Sequence, residues 1–162
     1  MRSRRSQFAL FGVSLLLAVL TGSVSAPAAP FTSTVTVPIA GMVTAGQSEN
    51  VTLSGSVQIL STVAVDQLLG NPPRERLSIK LVNVSGVGLS TGTTYVAKGE
   101  QSLLRVLVLS DLIEITFPFF PNTPSGASSA RSALASITLK FDLLTGALTG
   151  ATARFSSPNF GG

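Results

Sequence analysis

Seven acidic side chains are the groups of this chain best fitted to move protons or hold a hard cation: Glu49, Asp66, Glu75, Glu100, Asp111, Glu114 and Asp142. A close carboxylate pair can hydrolyse a glycosidic bond, and a cluster can bind Ca²⁺ or Mg²⁺. Here they are spread singly, with no EF-hand spacing. Asp111 and Glu114 are three apart, which on a strand sends them to opposite faces, and surface solvation is the expected role of both. A serine nucleophile would need a lysine base, but the S-x-x-K spacing is missing. Leu77, Tyr95 and Ile137 stand three residues before Lys80, Lys98 and Lys140.

Two absences narrow the chemistry further. There is no histidine and no cysteine. A Ser-His-Asp or Cys-His site is therefore impossible, as are a thiolate nucleophile, an Fe–S cluster and the common zinc sites. Gly86, Gly88 and Gly92 give G-x-G-x-x-x-G, but the segment after them has strand character. A dinucleotide site needs a helix N-terminus for its pyrophosphate, so these glycines are expected to form a turn. No cofactor and no metal are expected, and the chain is expected not to be an enzyme. Asn50-Val51-Thr52 and Asn83-Val84-Ser85 match the glycosylation acceptor triplet.

Binding residues are easier to nominate than catalytic ones. Phe117-Pro118-Phe119-Phe120-Pro121 is the densest aromatic cluster. If Phe117 points inward, alternation sends Phe119 inward and Phe120 outward. Phe119 and Phe120 are thus candidates for gripping a partner or capping an apolar pocket. Arg74 and Arg76 follow Pro72-Pro73 and could meet an acidic surface or guard a strand edge. Tyr95 could donate a hydrogen bond in a cleft.

These residues sit in a chain that opens as an export leader does. Arg2, Arg4 and Arg5 precede an apolar run, Phe8 to Leu20, which closes on Val24-Ser25-Ala26. That run is about 13 residues, short of the roughly 20 a spanning helix needs. Residues 1–26 are expected to be a cleaved signal peptide and 27–30 a Pro/Ala spacer. Residues 31–162 are then a single secreted or periplasmic domain with no membrane span. Of 11 basic residues, three lie in the leader, leaving eight against seven acidic ones, a net charge of +1. The eight are scattered singly, so no nucleic-acid partner is expected. Without cysteine, packing alone must hold the domain, which its length permits.

Alternation then governs the pattern. Val35, Val37 and Ile39; Val51, Leu53, Val57 and Ile59; Leu77, Ile79 and Leu81; Ile113, Ile115 and Phe117; Ile137, Leu139, Phe141 and Leu143; and Ala151, Ala153 and Phe155 each alternate with mostly polar neighbours. Gly55 interrupts its apolar row, where a bulge is expected. Thr93 to Lys98 reads as a short strand. Leu103 to Leu109 is apolar on both faces except at Arg105, which predicts a mid-sheet strand covered on both sides. Ser136–Leu144 and Ala147–Ser156 read as a hairpin across Thr145-Gly146. Residues 67–76 and 118–133 read as links, with one helical turn within 129–135. About eight strands, no helical stripe and frequent turn signals predict an all-β fold: a single-domain antiparallel β-sandwich or small β-barrel.

Sparse charge and Ser/Thr-rich polarity favour self-association or an unknown protein partner. The expected role is a non-catalytic binding or structural module. The alternative is a β-barrel carrier of a small apolar ligand, lined by residues such as Phe117, Phe141 and Phe155. A hydrolase using carboxylates or a Ser/Lys pair stands behind both.

Overall fold

The structure, a computed structural model, describes residues 31–45, 49–64 and 72–158. The expected leader, the spacer and residues 67–71 of the first link lie outside the described residues. Eight strands follow in order: β1 (Phe31–Thr44), β2 (Asn50–Ala64), β3 (Arg74–Gly88), β4 (Thr94–Ala97), β5 (Glu100–Val106), β6 (Ser110–Pro121), β7 (Arg131–Phe141) and β8 (Leu148–Ser156). Neighbours run β2-β1-β8-β7-β6-β4-β3, and β3 returns to pair with β2. The result is a closed seven-strand barrel, with β5 as an eighth strand paired, among the described residues, to β3 alone.

The alternating rows read from the sequence are its lining. Ile39, Leu53, Ile59, Leu77, Ile79, Phe117, Ile137, Leu139 and Phe141 are all fully buried within one continuous apolar cluster. Their polar alternates face out, as period-2 geometry requires. The β7–β8 hairpin forms, but β7 stops at Phe141, so Leu143, expected in the inward row, lies exposed in the closing turn, where the Asp142 carboxylate accepts the Leu144 N–H at 2.8 Å.

One pairing departs from a purely antiparallel barrel. β1 and β8 run parallel, joined by Ile39↔Ala153 and Ala40↔Arg154. The cause is parity. β4 and β5 run in the same direction along one edge of β3, so eight strands fill only seven wall positions. An odd number of alternating strands brings the first and last together pointing the same way. This short ladder is reinforced at both ends by serine hydroxyls. Ser33 Oγ accepts the Leu148 N–H at 3.0 Å, and Ser157 Oγ accepts the Thr44 N–H at 2.9 Å.

The seam is also close. A Cβ on Gly41 would run into the Phe155 carbonyl oxygen. Gly41→Ala should therefore wedge β1 from β8, at a cost of about 1–3 kcal/mol. Gly150→Ala is the control, since a Cβ there meets nothing within 4 Å. Thermal melts of the two variants check this: a near-wild-type Gly41→Ala protein would contradict the tight seam.

Gly55 sits at the expected bulge. The β2–β3 register shifts between Ser54 and Ser56, and a Cβ on Gly55 would lie 2.7 Å from Val84 Cα. The neighbouring Asn83 takes φ +52 and lies exposed.

Three expectations need correction. Leu103–Leu109 is not a covered mid-sheet strand: β5 is an edge, exposed along its length except at half-buried Leu103. Both links are shorter than predicted: β3 already starts at Arg74, β6 runs on through Pro121 and β7 starts at Arg131. Pro118 lacks a donor but keeps its carbonyl, which accepts the Lys98 N–H at 3.3 Å. The helical turn falls at Gly126–Ser129, whereas residues 131–135 are strand.

Candidate interaction surface

Along its second half β6 has two partners, β7 and β4. Along its first half, among the described residues, it has only β7, because β5, which should flank it there, stays with β3. The wall is thus laterally open between β5 and β6. Leu107, in the link between them, anchors inward and donates its N–H to the Pro73 carbonyl at 2.9 Å.

One ion pair spans the opening. Arg105 on β5 clamps Asp111 on β6 through two bonds: Nε to Oδ2 at 2.8 Å and Nη2 to Oδ1 at 2.7 Å. Among the described residues this is the only salt bridge. It overturns the surface-solvation expectation for Asp111, which is nearly buried. Behind the pair lies Glu75, opposite Arg105 in the β3–β5 register and fully buried. Its Oε2 receives a long 3.5 Å bond from Ser61 Oγ, and its Oε1 has no partner among the described residues. Burial, with the Asp111 charge behind it, pushes the Glu75 carboxyl up to about 7, against weaker opposing help from Ser61 and Arg105. Two carboxylates do converge at this end of the barrel, but the Arg105 guanidinium caps Asp111 and Glu75 has no contact with solvent.

Outside the pair the surface turns apolar. Leu104 is 59% exposed, Leu109 64% and Leu112 58%, with Val106 and Val108 also exposed. They come from the outer face of β5, the β5–β6 link and the outward side of β6. Leu143 and Leu144, in the β7–β8 turn, are exposed near the same rim, where the Leu109 carbonyl accepts the Phe141 N–H at 3.0 Å. A clustered apolar surface of this kind usually marks a contact site. Beside it on β3, Arg76 lies opposite Leu104 and Arg74 opposite Val106, both exposed.

The other nominated residues divide. Phe120 points outward and is half-buried, as alternation predicted, whereas Phe119 is fully buried in the barrel. Tyr95 is also inside, its ring centroid 5.9 Å from that of Phe119. Its hydroxyl donates to Glu49 Oε2 at 2.7 Å. Glu49 Oε1 in turn accepts the Thr91 hydroxyl at 2.6 Å and the Thr91 N–H at 3.1 Å. These bonds, Thr91 first and then Tyr95, hold the Glu49 carboxyl below its usual range, and the Glu49 bond lifts the Tyr95 phenol. Tyr95 therefore ties two turns together at the far mouth. Phe119, Tyr95 and the arginine pair do not converge: the arginines lie at the opposite end of the barrel.

Sequence reasoning missed the Leu104–Leu112 surface and the Glu75–Arg105–Asp111 cluster. A signal for the first was present, since a strand apolar on both faces is either covered twice or left open. An outer groove of about 680 Å³ also forms where β3 changes partner, lined by exposed Lys80, Asn83, Ser85 and Lys98 among others. The chain matches no family model, and no curated protein or solved structure is significantly similar to it.

Proposed function

We propose that this chain is an exported, non-catalytic binding or structural module that works outside the cytoplasm and docks a protein along β5. One observation carries the reading: among the described residues, β5 is an edge strand with no ladder on its second side, and Leu104 and Val106 lie exposed on its outer face. Such an edge is a template for another chain. The leader-like N-terminus, sparse charge and lack of histidine and cysteine support the export and the non-catalytic role.

A photo-crosslinking residue at Leu104, introduced in the producing cell, should yield a discrete covalent adduct. The same residue at Gln58, exposed on β2, should not. Equal yields at the two positions would overturn the docking reading. N-terminal sequencing of exported protein should begin at Pro27 or Pro30, and an uncut Met1 in that fraction would overturn the export reading.

A further inference from the structure

We propose that the outer groove beside β3 binds a small apolar carboxylate, its tail on the groove floor and its charged head between Lys80 and Lys98. This goes beyond the docking reading and rests on different residues.

The groove exists because β3 changes partner. Its first part pairs with β5 as far as Lys80↔Glu100, and its second part pairs with β4 from Val84↔Ala97 onward. Across the step, Leu81, Val82 and Asn83 stand against Lys98 and Gly99 alone. The surplus residue cannot join the ladder, as at any bulge. The Leu81 N–H still reaches the Gly99 carbonyl at 3.0 Å. Asn83 takes up the slack at φ +52, the only positive φ outside glycine among the described residues. The sheet surface is broken at this step, and a groove of about 680 Å³ opens on the outside of the wall. That volume is in the range of small-molecule sites.

Its lining is divided by chemistry. Buried Leu81, Val84 and Ala97 make an apolar floor. Exposed Lys80, from β3, and exposed Lys98, just past the end of β4, come from the two sides of the groove. Neither lysine is in a salt bridge among the described residues, where Arg105–Asp111 is the only one. Glu100, the one acid of the lining, accepts a 2.6 Å bond from Ser78 Oγ, which lies outside the groove. Two uncommitted cations thus stand over apolar ground. A neutral apolar ligand would leave the cations unused, and a cationic one would be repelled. An anion without a tail would leave the floor in water. A carboxylate on a short apolar chain matches both parts. Its oxygens accept charge-assisted bonds from the ammonium groups, whose flexible stems let them close on it, and its chain removes apolar area from water.

Amide NMR titration of the isotope-labelled protein with octanoate, kept below its micelle concentration, should give saturable shifts confined to residues 80–85 and 96–100. Octanol lacks the charge and acetate lacks the tail, so each should bind much more weakly. Lys80→Gln and Lys98→Gln should each weaken octanoate about three-fold and together about ten-fold, the size expected of exposed charge pairs. Both side chains are exposed, so the β-sheet circular dichroism signal should not change. Leu104→Ser, on the apolar surface of β5, should bind octanoate as wild type does.

The absence of saturable shifts, shifts centred instead on Leu104–Leu112, equal affinity for octanol and octanoate, or full affinity in the double lysine variant would each overturn the proposal. Vesicles of phosphatidylglycerol should leave the protein in the supernatant. Lysine-dependent sedimentation with them, without octanoate binding, would replace the small carboxylate by a membrane surface.

Discussion

Replacing Glu75 by glutamine is expected to stabilise the protein at pH 8 by about 3 kcal/mol and to leave it nearly unchanged at pH 4. The sign follows from proton counting. The unfolded chain releases the Glu75 proton near 4.5, whereas the folded chain keeps it to about 7. Between those values the folded state binds the extra proton, so wild-type stability falls as pH rises through the window and the loss is complete above it. The groups facing Glu75 are Ser61 from β2, Arg105 from β5 and Asp111 from β6. Glutamine keeps a partner for Ser61 and leaves the Arg105–Asp111 clamp intact, but it has no charge to desolvate.

Glu49 and Asp142 act in the opposite sense and in another window. Both carboxyls are held below their ordinary values, Glu49 first by Thr91 and Asp142 first by the Leu144 N–H. Their contribution is present above the ordinary carboxylate range and is lost only as pH falls below it. Denaturant titrations of wild type and Glu75→Gln from pH 4 to 8 should therefore diverge steadily above pH 4.5. A wild-type profile flat from pH 5 to 7, or a glutamine variant weaker at pH 8, would contradict the buried-acid account.

Phe117→Ala should cost about 3–5 kcal/mol, the usual range for deleting a fully buried aromatic ring. Phe117 is 1% exposed and sits in the central cluster with Phe119 and Phe141. It is packed closely enough that a Cβ on Gly99 would lie 2.8 Å from its ring. Phe120→Ala, three residues on and facing outward, should cost far less. The pair separates a packed interior from a carrier's cavity. A ring lining an empty pocket already lacks partner atoms on one side, so its removal would be mild. Equal, small losses in chemical denaturation for Phe117→Ala and Phe120→Ala would favour the carrier.

The barrel was largely legible because its lining obeys a strict two-residue rhythm. Val57, Ile59, Leu77, Ile79, Ile137 and Leu139 were assigned to the inner face by alternation alone, and all are buried. The hairpin at Thr145-Gly146 and the bulge at Gly55 were legible because glycine there answers a local need. What escaped depends on where strands go once formed. Leu103–Leu109 looked central because apolarity on both faces reports two apolar environments without saying whether protein or a future partner supplies them. Pro118–Pro121 looked like a loop because proline cannot donate, yet its carbonyl still serves the ladder. Tyr95 looked available because its hydroxyl's partner, Glu49, lies 46 residues away on another turn. Glu75 stands between Arg74 and Arg76, at what the sequence offers only as a strand edge. Nothing local shows that Arg74 and Arg76 turn outward while the acid between them turns in.

The odd strand count also decides where the polypeptide enters and leaves. A barrel with an even number of up-and-down strands returns both ends to the same mouth, like a looped handle. Here β1 and β8 point the same way, so Phe31 and Ser156 emerge at opposite mouths, separated by the height of the wall. Joining Ser156 to Phe31 in a circular permutant would need a tether of about 30–40 Å laid along the outside. Copies fused head to tail need no such detour: they would thread like beads on a string, each passing the chain straight through to the next.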